Sequence, residues 1–198
     1  MSPESPRTLL IACGALAREV LALIALNGWS HMDVTCLPAK LHNTPALIPA
    51  AVRAKIARGR KTHQRIFVLY GDCGTGGLLD RVLEEEGVER LPGPHCYAFY
   101  RGTAQFLEEA DADPTCFYLT DYLVRHFERL VIQGLGLDRH PELLGDYFGN
   151  YTTLVYLAQT HDAGLERRAK AAALRLGLTY VQRPSGYGEL ADFLRAAG

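Results

Sequence analysis

The sequence predicts an α/β protein: a mostly parallel sheet with helices on both faces, and a functional site at the carboxyl ends of the strands. Three observations lead there. Short apolar runs alternate with helical patterns from one end of the 198 residues to the other. The runs are continuously apolar, as expected of strands buried on both faces, rather than alternating apolar and polar. In the first half of the chain each run gives way to a loop carrying Cys or His, at the edge where open parallel sheets bind ligands. No linker-like or low-complexity stretch interrupts the pattern. The chain therefore reads as a single α/β domain over 1–198, with 1–7 a flexible N-terminus.

The elements follow in order. "TLLIA" at 8–12 is a strand that stops at Cys13-Gly14. "ALAREVLALIALNG" carries apolar residues at 16, 20, 23, 24 and 26, a helical period, and ends at Asn27-Gly28. "DVTCLPA" at 33–39 is a second strand closed by Pro38. A helix entered near Pro45 or Pro49 stops at Gly59. "RIFVLYG" at 65–71 is the clearest strand, followed by a glycine loop and the helix "LLDRVLEEEG". "VERLPGPHCYAFYRG" is rich in turns, and "TAQFLEEAD" is helical. "TCFYLTD" at 115–121 is a strand, with Asp121 as the expected N-cap of a helix over "YLVRHFERLVIQGLG". A β-branched and aromatic strand at 151–160, a helix stopped by Gly177, the strand "LTYVQRP" and the helix "YGELADFLRAA" complete the chain. Ser185 or Gly186 is the expected cap of that last helix. The segments beginning "LLIACGAL" and "FVLYGDCG" share a plan of strand, Cys-Gly and helix, which the general βα unit explains.

Composition removes several function classes. The formal net charge is −1 and the pI about 6.6, with no basic stripe, so nucleic acid is not an expected partner. The cluster "RAKIARGRK" falls at a helix end, where cations complement the dipole. "TLLIACGALA" is too short and interrupted for a signal sequence or a membrane span, and a cytoplasmic protein is expected. The five cysteines are an odd number without a secreted-scaffold spacing. In a reducing compartment they read as buried hydrophobes, metal ligands or nucleophiles.

The reactive residues collect at strand ends. Cys13 follows the first strand, His42 the second, and Asp72-Cys73 the third, while His95-Cys96 lies in the next irregular segment. Thiolates and imidazole suit a transition metal, zinc first. Cys13, His42, Cys73 and Cys96 are the candidate ligands, with His95 as the alternative nitrogen donor. Asp72 and His95 are candidate catalytic groups. Gly74, Gly76 and Gly77 would let backbone approach a cofactor at positive φ. No Cys-x-x-Cys or His-x-x-x-His spacing fixes this geometry. Two other readings of "YGDCGTGG" stand beside it. One is a nucleophilic Cys73 on a strand-to-helix turn, with His42 or His95 as base. The other is an anion cradle of backbone N–H groups, although the loop contains no lysine. Cys36 and Cys116 read as core. His31, His63, His126, His140 and His161 read as surface or satisfied groups. Tyr147, Phe148, Tyr151 and Tyr156 read as core or as pocket wall, and Arg125, in the helix after Asp121, as a candidate contact for an anionic substrate.

Taken as a set, "LIACGAL", "LHNTP", "YGDCGTGG", "GPHCY", "YLTDYLVRHF", "FGNYTTLVYL" and "RPSGYGEL" resemble the domain-of-unknown-function family numbered 1638, over about residues 8–195. That family has no assigned reaction. The resemblance implies a place near corrinoid-dependent methyltransferase systems, hence one-carbon or methyl-transfer metabolism. A small-molecule substrate, a corrinoid contact and a corrinoid protein or methyltransferase as partner are what it implies in turn. The family's motif positions fall on Cys13, His42, Asp72, Cys73, His95 and Cys96. The expected function is a zinc-type metal site that activates a thiol or water. The alternatives are a metal-independent cysteine hydrolase or transferase using Cys73, and a non-catalytic accessory protein.

Overall fold

All strand pairings are parallel in the computed structural model, which describes residues 6–198, and the strands are shared between two sheets. Each sheet belongs to its own compact unit, the first comprising the chain up to Phe99 plus Glu189–Gly198, the second Tyr100–Gly188. Most of the flexible N-terminus expected over 1–7 lies outside the described residues. Arg7 pairs with Asp33 at 2.6 Å, and its carbonyl accepts from Gln64 N–H.

In the first unit the order along the chain is β1 (Thr8–Cys13), α1 (Ala17–Asn27), β2 (Met32–Leu37), α2 (Ile48–Gly59), β3 (Arg65–Leu69), α3 (Leu78–Glu86) and β4 (Glu89–Arg90). The sheet order is β2-β1-β3-β4. β1 is central, in register with β2 from Thr8↔Met32 to Cys13↔Leu37 and with β3 from Thr8↔Arg65 to Ala12↔Leu69. All six of its residues are buried, which explains its unbroken apolar sequence. α1 ends where expected, with Gly28 left-handed and its N–H bonded to the Ile24 carbonyl. α2 buries Ile48, Val52 and Ile56, one helical stripe. The two-residue strand β4 falls inside the segment expected to be rich in turns.

A four-residue helix, α4 (Ala98–Arg101), precedes the second unit's elements. These are α5 (Thr103–Ala112), β5 (Cys116–Thr120), α6 (Asp121–Arg125), α7 (Leu144–Phe148), β6 (Thr153–Ala158), α8 (Ala163–Leu176) and β7 (Thr179–Pro184). Its sheet order, β5-β6-β7, follows the chain. The core contains Leu119, Ile132, Phe148, Leu154, Tyr156 and Ala169. Tyr151 packs against this core, whereas Tyr147 is exposed.

Three local expectations change here. The long helix expected after Asp121 breaks into α6 and a π-turn at Glu128–Ile132. Thr120, not Asp121, is the N-cap, its Oγ1 accepting from Leu123 N–H at 3.3 Å. Asp121 is buried instead, accepting from the Tyr156 hydroxyl at 2.7 Å, Gln159 N–H at 3.1 Å and the Thr160 hydroxyl. Ser185 bonds the Ala158 carbonyl at 3.3 Å rather than capping the helix after it. That helix, α9 (Gly188–Ala197), buries Leu190 and Leu194 and sets Phe193 edge-on to Phe67. No helix among the described residues is long and apolar enough to cross a membrane.

Candidate metal centre

The first unit's sheet reverses direction of growth between β1 and β3: one neighbour of β1 is the next strand in sequence, the other comes after it. Such a switch point opens a crevice at the strand carboxyl ends. Cys13 ends β1 on one side of it, and Tyr70, Gly71, Asp72 and Cys73 follow β3 on the other.

Two close backbone approaches set the cysteines. Gly14 donates to the Leu37 carbonyl at 2.8 Å, tying the Cys13 turn to the end of β2, and a Cβ on Gly14 would lie 3.0 Å from that oxygen. At Gly71 a Cβ would meet the backbone of His95 at 2.8 Å. Only glycine lets the Asp72-Cys73 loop lie flat on the Gly93–Cys96 segment. The two segments are then joined by Asp72 N–H to the Gly93 carbonyl at 2.9 Å and Cys73 N–H to the Pro94 carbonyl at 2.8 Å. Arg90 braces the junction, its guanidinium donating to the Leu91 carbonyl at 3.0 Å and more weakly to those of Tyr70 and Gly93, while it chelates Asp80.

The outcome is a convergence of sulfur and nitrogen. Ligand atoms of Cys13, His42 and Cys96 all lie within 4.8 Å of one another. The Cys73 and Cys96 sulfurs are 3.4 Å apart. Two thiolates sharing a tetrahedral zinc at about 2.3 Å would be separated by about 3.8 Å, so this spacing suits a common ion. All three cysteines are buried. His42 sits in a 3₁₀ turn at Ala39–Asn43, and its Nδ1 lies 2.8 Å from the Ala39 carbonyl. A carbonyl only accepts, so Nδ1 carries a hydrogen, and Nε2 is the nitrogen whose lone pair a ligand would use once its own proton leaves. This is the outer-shell arrangement that orients metal-binding histidines. The Tyr70 ring stacks on His42 at 5.9 Å; its hydroxyl is buried without a well-formed hydrogen bond.

The electrostatics are those of a cluster that gathers negative charge. The Cys73 thiol is drawn down to about 3, first by its hydrogen bond with Cys96, against the opposing effect of burial, and then by His42 and His95. Cys13 falls to about 7, again chiefly through Cys96. Cys96 is pushed well above its ordinary value by hydrogen bonds to both of these and by burial, so it keeps the shared proton. Burial would lower His42, but bonding to Cys73 and the charge of the thiolates raise it to about 9. A cation displacing these protons would relieve the clustered thiolates and free the imidazole.

The loop after Cys73 differs in role from the expectation. The Asp72 carboxylate accepts from the Thr75 hydroxyl at 2.6 Å, Gly76 N–H at 3.1 Å and Gly77 N–H at 2.8 Å. These bonds outweigh desolvation and hold its pKa below the ordinary carboxylate value. Asp72 therefore organises the loop, and the N–H groups of Gly76 and Gly77 that would cradle an anion are already taken. Gly74, Gly76 and Gly77 do have positive φ, as does Cys73 at 50°, the one non-glycine residue in that region among the described residues. His95 stacks on Tyr97 at 4.9 Å and bears on Cys73. Cys36 is half-buried in β2, and Cys116 bonds Asp113 at 3.2 Å. His63 contacts Asp33 at 2.9 Å as a satisfied group, but His31 has a buried Nε2 without a partner. Arg90 and Tyr70 were not singled out from sequence, whereas Gly71 was read there as the stop of the third apolar run.

A family model described as "Protein of unknown function (DUF1638)" matches residues 36–194. No curated protein matches, and no solved structure matches.

Proposed function

The chain belongs to the DUF1638 family, and from that premise we propose that its first unit is a transition-metal site, zinc by donor chemistry, serving one-carbon or methyl-transfer metabolism. The observation that carries the proposal is the meeting of Cys13, His42 and Cys96 within 4.8 Å, with the His42 Nδ1 hydrogen directed to a carbonyl. Two thiolates and an imidazole form a borderline-soft donor set that suits zinc. Cys73, 3.4 Å from Cys96, stands ready as fourth donor or as the reacting thiol next to an open position. A zinc ion in such a site supplies Lewis acidity, lowering the pKa of a bound thiol or water. The chain's own residues would hold and orient it: Ala39 fixes the His42 ring, Gly71 seats the Cys73 loop, and burial keeps bulk water from the sulfurs. The link to methyl transfer, and to a corrinoid protein as partner, rests on the family resemblance. Pull-down with a corrinoid methyltransferase system tests it, and absence of any such partner would remove that part.

A second reading has its own observation. Cys73 is strained at φ 50°, is drawn toward its thiolate and interacts with both His42 and His95, as a nucleophile with a base would. Iodoacetamide separates the two. A nucleophilic site predicts fast, selective labelling of Cys73 in protein as purified. A metal site predicts that Cys13, Cys73 and Cys96 are protected together until a chelator is added.

A further inference from the structure

The Cys73 and Cys96 sulfurs lie 3.4 Å apart, and both are buried. They are held together by backbone rather than by side-chain chance: Cys73 N–H bonds the carbonyl of Pro94, two residues before Cys96. A further closure of about 1.4 Å would bring them to the disulfide distance of about 2.0 Å. Cys73 already has a left-handed backbone, at the head of a loop whose next glycine, Gly74, is left-handed too. We propose that Cys73 and Cys96 form an oxidation site, a dithiol–disulfide pair that takes a hydroperoxide as oxidant. This deepens the metal reading, on which only its last consequence rests.

The step balances as follows. The Cys73 sulfur attacks the distal oxygen of the hydroperoxide, the O–O bond breaks, and the leaving alkoxide or hydroxide takes a proton. Cys73 is then a sulfenic acid. The Cys96 sulfur attacks the Cys73 sulfur, the S–O bond breaks, and the oxygen leaves as water with the Cys96 proton. Two thiols lose two electrons in total, and the peroxide is reduced to an alcohol or water plus one further water. Cys96 is shared between the pair and the Cys13–His42–Cys96 set, so closing the bond removes one thiolate from that set. A bound ion would then be left with Cys13 and His42 and would be released.

The test uses the full chain, purified in reductant and freed of it, with and without prior chelator. It is treated with a small excess of hydrogen peroxide, blocked with iodoacetamide and digested by trypsin without reduction. Cys73 lies in the tryptic peptide 66–81 and Cys96 in 91–101, each with one cysteine, so their crosslink is a unique mass. The expected result is that crosslink, loss of two thiols per chain, and recovery of both by dithiothreitol. Cys36→Ser with Cys116→Ser should behave identically. A sulfinic acid on Cys73 with no crosslink, or a crosslink of Cys13 in its place, would overturn the proposal. The chelated sample reads the disulfide without any ion. Failure of the oxidation site is thereby distinguished from failure of the metal reading, which metal analysis of the untreated protein decides.

Discussion

At the scale of single residues, Cys96 and His42 carry the site. Cys96 is the sulfur shared by Cys13 and Cys73, and it holds the proton that its neighbours have given up. Replacing it with serine should lower zinc affinity by more than the 10–100-fold typical of an outer-shell change. The same substitution at Cys36, half-buried on β2, should leave affinity unchanged; competition with a chromophoric chelator measures both. His42 is raised to about 9 and so is protonated at neutral pH without metal. Cys96, raised further, is protonated as well. Binding needs both to be deprotonated, and Cys13, at about 7, is about half protonated at that pH, so uptake at pH 7 should release between about two and three protons per ion, and affinity should fall as pH drops. A pH-indicator titration in weak buffer gives the count; uptake without proton release would contradict this assignment of protons.

At the scale of elements, the site depends on two loops lying on each other. A Cβ at Gly71 would sit 2.8 Å from His95 backbone that cannot move aside cheaply. Gly71→Ala should cost about 1–3 kcal/mol of stability, as overpacking does, and should also weaken metal binding by displacing Cys96. At Gly76 nothing lies within 4 Å and only the φ of 62° is at stake. Gly76→Ala should cost about 1–2 kcal/mol and leave metal binding intact. Thermal melts with and without zinc separate the two effects.

The same loops show what the sequence made legible. Strand-end chemistry was readable because apolar runs stop abruptly at Cys13 and at Gly71-Asp72-Cys73, and a parallel sheet directs such ends to one edge. The partner of each residue was not readable. Asp72 looked catalytic because it is an acid beside a cysteine, yet its oxygens are spent on Thr75, Gly76 and Gly77, contacts that depend on loop curvature. Cys73 gave no sign of its left-handed backbone, since a non-glycine φ of 50° is imposed by its surroundings rather than by propensity. Asp121 was misplaced by one residue for a similar reason. A long-range bond to Tyr156 claims its carboxylate, and Thr120 takes the cap.

At the scale of the molecule, all the candidate ligands lie in the first unit. An ion bound there stabilises by mass action only the fold that holds it, by about 2.7 kcal/mol at a concentration of 100 times Kd. Hydrogen exchange should therefore slow on zinc addition in β1, β3 and the 71–96 region, with β5, β6 and β7 unaffected. Equal slowing throughout would show that the two units unfold together.

The central claim is that Cys13, His42 and Cys96, with Cys73 beside them, hold one metal ion. Elemental analysis of untagged protein, paired with native thiol titration, tests it most directly. The account predicts about one equivalent of zinc per chain, lost in Cys96→Ser, with the site thiols unreactive until a chelator is added. Less than about a tenth of an equivalent of any metal, with all the thiols freely titratable in the folded protein, would contradict it.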